Sequence, residues 1–270
     1  MPMRSYSVPA RAAVPVGVIL IFAVALLAPS TAGAIVDEIQ VYLDDISKPG
    51  EKGLELHVNT TPKGRSVPAY PGDVPPQHSL RITPEFSFGM SHDFDWGLYL
   101  PTVRNADGTF YLSGAKLRFK WMPLQPDETT GGWYAGANLE LSRLTKTYSE
   151  SPYSSELRTI FGYRAPDWLI GVNPIFEWEL SPGFRHGGPD FTLAWKAMHD
   201  VREGVALGLE YYGAIGKLAH PLPHDEQERT LYIALDVDRK PWIFNVGIGR
   251  GLTPATDRWT LKAIFEVPFQ

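Results

Sequence analysis

The sequence predicts an all-β protein, a twelve-stranded antiparallel transmembrane β-barrel that follows a cleaved signal peptide. Three observations predict it: an N-terminal targeting segment, twelve segments in which apolar and polar residues alternate, and connections that alternate in length. Alternation places one face of each strand in apolar surroundings and the other against polar groups or water. The predicted domains are a signal peptide over 1–34, an N-terminal periplasmic or plug segment over 35–53, and an outer-membrane barrel over 54–270.

The first 34 residues have the features of a secretory signal peptide. Arg4 and Arg11 form a basic region, an apolar run covers 12–27, and Ala32-Gly33-Ala34 is a small-residue cleavage motif. A retained membrane anchor is the alternative, but the apolar run is short and ends in small residues. No other window is long and apolar enough for a membrane helix, so a membrane location requires a barrel.

Composition excludes several classes of function. The chain has 25 basic and 30 acidic residues, and loss of the signal peptide leaves 23 against 30, a net charge near −7. This balance argues against phosphate-driven binding, and we predict no nucleic-acid partner. The absence of cysteine excludes disulfides, thiolate metal sites and lipoprotein acylation. Twelve per cent aromatic residues and 25 glycines suit an antiparallel β-protein with many turns.

Two structures fit the segment 35–53. Ile39, Tyr42, Leu43 and Ile46 lie on one face of a helix, whereas alternation through Val41 fits a strand. Pro49-Gly50 ends the segment in either case.

Twelve alternating segments follow. In chain order they are 54–61, 80–90, 95–100, 115–121, 133–141, 156–164, 168–179, 191–196, 205–212, 231–237, 242–249 and 258–270. Most have the length of a tilted membrane-spanning strand, and bacterial single-chain barrels have an even number of strands. The spacing would also fit a soluble β-sandwich. The chemistry of the two faces and the connections therefore decide between the two folds.

The polar face carries charge along much of its length. We predict that it lines the lumen and a substrate path through Glu55, His57, Arg81, Glu85, Lys116, Arg118, Lys120, Glu140, Arg158, Arg164, Glu177, Lys196, Glu210, Tyr212 and Lys262. All eight tryptophans fall on the apolar face, most of them near a strand end. The predicted aromatic girdle at the membrane interface is Trp96, Trp121, Trp133, Trp168, Trp178, Trp242 and Trp259.

The connections alternate in length, as in bacterial barrels with short periplasmic turns and longer external loops. The predicted periplasmic turns lie near 92, 165–166, 200–202 and 239–240, and 122–132 is an exception in length. The predicted long external loops are 62–79, 143–154, 181–189 and 214–227.

The last segment, 258–270, is expected to close the ring against 54–61. Trp259 would lie at the external rim and Phe269 at the periplasmic rim. An aromatic-ended final strand is typical of outer-membrane barrels, although Gln270 follows the aromatic residue here. Pro84 and Pro174 lie inside strands and each removes a ladder donor, so we expect a bulge or a local bend at both.

The chain resembles a family of proteobacterial outer-membrane barrels named for the "MetA-pathway of phenol degradation". The resemblance covers nearly the whole predicted mature chain, through GLELHVN at 53–59, LRITPEFS at 80–87, LRFKW at 117–121, NP at 173–174, GLEYYG at 208–213 and NVGIGRGLT at 245–253. These motifs are structural and carry no catalytic signature. The resemblance implies a barrel and the passage of hydrophobic or aromatic compounds.

No catalytic residue, metal site or cofactor is predicted. A barrel lipid hydrolase needs a serine beside a histidine, and no serine lies at useful spacing from His57. His220 and His224 lie in one loop, but Pro221 and Pro223 forbid the helix on which they could share a metal ion.

The predicted function is a passive channel or transporter for small, hydrophobic or aromatic compounds in the cell outer membrane of a Gram-negative bacterium. The expected partners are outer-membrane lipids, the barrel assembly machinery and a small-molecule solute. Twelve strands lie between a filled interior and an open channel, so the charged residues could line a pore or pair and fill it. The alternatives are a non-conducting structural or ligand-binding barrel and, less favoured, a lipid hydrolase.

Overall fold

Residues 38–267 are described by the structure, a computed structural model, and they form fourteen β-strands. The predicted signal peptide and the final Pro268, Phe269 and Gln270 lie outside the described residues, as does the side chain of Trp242. No helix in 38–267 is long and apolar enough to cross a membrane. The strands are β1 Lys52–Lys63, β2 Leu80–Gly89, β3 Phe94–Tyr99, β4 Thr102–Arg104, β5 Phe110–Leu112, β6 Gly114–Leu124, β7 Gly132–Leu144, β8 Tyr153–Arg164, β9 Trp168–Glu179, β10 Asp190–Arg202, β11 Val205–Lys217, β12 Glu228–Arg239, β13 Trp242–Gly251 and β14 Trp259–Val267.

These strands close into one antiparallel ring. β1 pairs with β2 on one side and with β14 on the other, where Leu54 lies opposite Val267 and Thr60 opposite Leu261. β3 and β4 both pair with β2, one after the other, and together they occupy one position in the ring. β5 and β6 pair with β4 and β3 and occupy the next position. The fourteen strands therefore fill twelve positions in the ring, each called a stave below. The predicted twelve-stranded barrel and its closure by the last strand are confirmed.

The two strand prolines do not shift the register. Leu56 lies opposite Pro84, Leu193 lies opposite Pro174, and the pairing continues unshifted on either side. The described strands have no bulge at either proline, because the ladder omits a bond there instead of inserting a residue, and the alternative of a local bend stays a prediction. Beside Pro84 the neighbouring stave is interrupted between β3 and β4, and the Leu100 amide donates to the Pro84 carbonyl at 3.1 Å.

The connections alternate in length as expected. One end of the barrel carries the connections 90–93, 125–131, 165–167, 203–204 and 240–241. The other end carries 64–79, 105–109, 145–152, 180–189, 218–227 and 252–258. The first set is called the short-loop end below and the second the long-loop end. The segment 38–50 precedes β1, which starts at the short-loop end.

The outer surface is apolar at mid-height. Ile233 is 64% exposed, and its cross-strand neighbours Ile248 and Leu209 are exposed as well. We expect Ile233→Lys to lower the unfolding free energy in lipid vesicles by about 2–4 kcal/mol, because a lysine on the lipid face would be buried in hydrocarbon. Denaturant titration of the reconstituted protein measures this change. Leu218→Lys, in a long loop, is the control; equal small effects at both positions would contradict a lipid-facing surface.

Candidate functional site

The lumen holds the segment Glu38–Gly50, called the inner segment below. Among the described residues, no backbone-to-backbone hydrogen bond joins 38–47 to the wall. Side chains of the wall bind it instead: the Asn173 amide accepts from the Tyr42 N–H at 2.7 Å and donates to the Tyr42 carbonyl at 3.0 Å. Lys262 Nζ donates to the Ile39 carbonyl at 2.9 Å, and Arg158 to the Gln40 carbonyl at 2.9 Å. The segment can therefore leave without breaking a ladder bond of the barrel.

Acidic side chains of the inner segment pair with basic side chains of the wall. Arg164 binds Asp44 with two bonds, Nε to Oδ2 at 2.6 Å and Nη2 to Oδ1 at 2.7 Å. Lys120 Nζ donates to Asp45 Oδ2 at 2.8 Å. Glu38 is fully buried, 4.0 Å from the Arg158 guanidinium. Burial raises the pKa of the Glu38 carboxyl, and Arg158 opposes that rise.

The Tyr42 ring occupies a slot in the wall. The Arg158 guanidinium carbon lies 4.4 Å and Lys120 Nζ 5.1 Å from the centre of this ring. Cations over a ring face are attracted by its quadrupole. The Tyr42 hydroxyl shares a 2.5 Å hydrogen bond with the Tyr99 hydroxyl and donates to Glu140 at 3.3 Å. The apolar sides of the slot are Met122, Tyr134 and Ile160.

Two glycines of the wall make room for the inner segment. A Cβ at Gly171 would lie 2.5 Å from Leu43 Cδ2, and one at Gly89 would overlap the Lys48 carbonyl. A larger residue at Gly89 would push the backbone of the segment away from the wall, whereas one at Gly171 would displace the Leu43 side chain. Both glycines thus serve close approach between chain segments that are far apart in sequence.

A second charged group, called the Glu210 cluster, lies on β10, β11 and β14. Glu210 accepts from Lys262, from Lys196 at 3.3 Å and from the Tyr212 hydroxyl at 2.8 Å. Lys196 also pairs with Asp236 at 2.8 Å. The side chains of Glu210, Lys262 and Lys196 are 0%, 1% and 8% exposed, and Asp236, which is 28% exposed, supplies the second negative charge that balances the two lysines.

A third group surrounds His57. Its Nε2 lies 3.2 Å from Glu85 and 3.9 Å from Glu55, and Arg118 lies 3.0 Å from Glu85. One donor atom from each of Glu55, His57 and Glu85 lies within 4.8 Å of the others, a spacing that could hold a metal ion. Glu55 on β1 lies directly opposite Glu85 on β2. The alternation of residues along a strand predicts which face each side chain lies on, but it does not predict this pairing. Arg118 already supplies a cation there, so ion pairing accounts for the group.

The structure places the residues predicted for the lumen on the inner face. On β9, Glu177 lies on the same face as Asn173 and Ile175. On β2, Arg81, Thr83 and Glu85 share the inner face. Their part in a solute path stays a prediction. Three further inner residues, Asp95, Tyr134 and Asn173, are missing from the predicted lumen lining, although the alternation of apolar and polar residues along their strands places them on the same face. No sequence signal identified Asp44 and Asp45 as partners of the wall.

The predicted girdle residues belong to the outer face where their side chains are described. Trp121, Trp133, Trp168 and Trp259 are exposed, whereas Trp96 and Trp178 are half-buried. Trp96 stacks on Phe88 at 4.4 Å between ring centres. Whether these rings lie at a lipid–water interface stays a prediction.

The two ends of the lumen differ. At the long-loop end, connection 64–79 bends over the wall, where Arg81 donates to the Val74 carbonyl at 3.4 Å and lies 4.9 Å from the Tyr148 ring centre. At the short-loop end, a cavity of about 640 Å³ lies beside the inner segment. Its lining includes Asp44, Asp45 and Arg164. The charged pairs of the inner segment therefore border a space of solute size.

The fold is shared with known outer-membrane channels. No protein-family model matches the sequence, and no curated protein is detectably similar to it. The crystal structure of an outer membrane channel from Pseudomonas putida F1 superposes with a TM-score of 0.59 at 10% identity, covering 86% of this chain and 100% of that one.

Two porins are similar as well. KdgM, in complex with disordered oligogalacturonate, gives a TM-score of 0.52 at 9% identity over 81% of this chain and 99% of that one. NanC gives 0.51 at 9% identity over 80% and 99%. At such low identity these likenesses concern the fold alone. The chain therefore has the fold of outer-membrane β-barrel channels.

Proposed function

We propose that the protein is an outer-membrane channel for small solutes and that its inner segment is a plug. The proposal rests chiefly on one observation: a closed barrel with a charged interior contains a segment whose residues 38–47 make no backbone-to-backbone hydrogen bond to the wall and are held through side chains. Because the segment takes no part in the sheet, its departure would leave a twelve-stranded barrel with a polar lumen. A barrel of this size is intermediate between filled and open barrels.

The resemblance to the barrel family of the phenol-degradation pathway supports hydrophobic or aromatic solutes as cargo. We also infer that the chain is not an enzyme. Among the described residues, His57 pairs with Glu85 and Glu55 instead of a serine, so it lacks the nucleophile that a barrel lipid hydrolase requires. The similar structures are channels, which agrees with this inference.

Single-channel recording in planar bilayers tests the proposal. The full chain should conduct rarely, and a variant that lacks residues 38–46 should be open at least about tenfold more of the time, since the plug no longer competes for the lumen. Lys48→Ala is a control within the inner segment, because the Lys48 side chain is 80% exposed and its ion pair among residues 38–267 is a 4.0 Å contact with Glu128.

A heat-dependent shift on a denaturing gel verifies that each variant has folded before recording. A folded deletion variant without any conductance would overturn the channel proposal and would support the non-conducting structural barrel. Equal conductance of the full chain and the deletion variant would overturn the plug while leaving the channel intact.

A further inference from the structure

Two cations of the wall have their close ion-pair partners in the inner segment. Within residues 38–267, Asp45 is the carboxylate partner of Lys120, and Asp44 is the carboxylate partner of Arg164. The Lys120 side chain is only 2% exposed. A buried cation without a partner is strongly unfavourable. When the inner segment leaves, Lys120 and Arg164 lose these partners, and this part of the lumen becomes more attractive to another anion.

The geometry of these contacts specifies the kind of anion. Arg164 binds Asp44 through two parallel bonds, the arrangement in which a guanidinium recognises a planar carboxylate. Lys120 contacts both the Asp45 carboxylate and the face of the Tyr42 ring. One cation thus contacts a carboxylate and an aromatic ring at the same time.

The opposite end of the ring slot is polar. There the Tyr99 hydroxyl and the Glu140 carboxylate meet the Tyr42 hydroxyl. The slot is therefore complementary to a ring that has a hydroxyl at one end and a carboxylate within reach of Lys120. Asp45 and Arg164 also line a cavity of about 640 Å³, which is within the usual range for small-molecule sites.

We propose that the slot occupied by Tyr42 and Asp45 is the solute-binding site of the channel and that its ligands are aromatic carboxylates. The inner segment then acts as a tethered competitor that presents the same groups as the solute. This inference rests on the proposed channel function and adds the chemical class of the cargo. A neutral hydrophobic solute would not replace the carboxylate that Asp45 presents to Lys120, and a small inorganic anion would leave the ring slot unfilled.

Current block in the variant lacking residues 38–46 tests the ligand class. The probe is 4-hydroxybenzoate, its neutral isostere 4-hydroxybenzamide is the control for charge, and acetate is the control for the ring. We expect half-block by 4-hydroxybenzoate at a concentration at least about tenfold lower than for either control, since a tenfold ratio corresponds to about 1.4 kcal/mol. Lys120→Met in the same background should reduce the acid-to-amide ratio to below about threefold.

The outcomes separate the two proposals. Absence of current from a folded deletion variant contradicts the channel itself. Current that the acid and the amide block equally, or that acetate blocks as well as 4-hydroxybenzoate does, contradicts the aromatic carboxylate site while leaving the channel intact.

A second measurement uses the full chain and does not depend on the deletion. Val41 is 3% exposed in the inner segment, and the chain has no cysteine, so Val41→Cys is a unique and buried thiol. If the solute competes with the segment, saturating 4-hydroxybenzoate should accelerate labelling by a water-soluble thiol reagent severalfold, whereas 4-hydroxybenzamide should not. Unchanged labelling with both compounds would contradict competition at this site.

Discussion

Glu210→Gln should lower the unfolding free energy of the barrel by about 3–5 kcal/mol, the cost of leaving buried charges without their partner. Glu210 lies between Lys262 and Lys196, and all three side chains are nearly inaccessible to water. A glutamine would keep the volume and one acceptor oxygen, but Lys262 would lose its carboxylate and Lys196 would keep only Asp236. Denaturant titration in detergent micelles, followed by the heat-dependent gel shift, measures the loss.

Glu128→Gln is the matched control, since the Glu128 side chain is 91% exposed in a connection at the short-loop end. Its effect should stay within about 0.5 kcal/mol, as for most surface substitutions. A similarly small effect of Glu210→Gln would mean that water reaches the cluster and screens the two lysines. That result would contradict the dry, mutually compensated cluster described here.

Asp44→Asn combined with Asp45→Asn should release the inner segment. Hydrogen bonds to charged groups contribute about 1.5–3 kcal/mol each, and Asp45 will contribute less because it is 69% exposed. We therefore expect the population with a released segment to rise about tenfold to a hundredfold. The labelling rate of Val41→Cys measures that population, and the open probability in planar bilayers should rise in parallel.

Asp238→Asn is the control for a change of net charge, because Asp238 is an exposed carboxylate at the short-loop end. It should leave the labelling rate of Val41→Cys unchanged. If the double substitution also leaves this rate unchanged, the two ion pairs do not retain the segment, and its remaining contacts with the ring slot, Asn173 and Lys262 suffice to hold it.

Much of the wall could be predicted from the sequence. Side chains of a strand alternate between its faces, so the apolar neighbours of Lys116, Arg118 and Lys120 suffice to place these three residues inside. The same periodicity identified the last strand as the one that closes the ring. It could not reveal which charges meet, because Glu55 opposite Glu85 and Lys196 beside Glu210 depend on register between strands.

The conformation of the inner segment could not be predicted from the local sequence pattern. Its apolar residues fit a helix and a strand equally well, and the structure shows neither, because its binding partners lie elsewhere in the chain. Tyr42 is held by Asn173, which is 131 positions away, and Asp44 by Arg164, which is 120 positions away. Periodicity describes a segment that packs one face on a regular surface, whereas this segment follows an irregular set of side chains.

The sequence by itself determined the all-β fold, the inner and outer faces of the staves and the alternation of short and long connections. Each of these properties follows from the two-residue period of a strand and the composition of its turns. Only the tertiary structure decided that Glu38–Gly50 lies inside the barrel and that Lys120 and Arg164 bind its carboxylates. Closing the ring brings residues that are distant in sequence into one lumen. The contacts between them leave no repeating pattern in the sequence, so they could not be predicted from it.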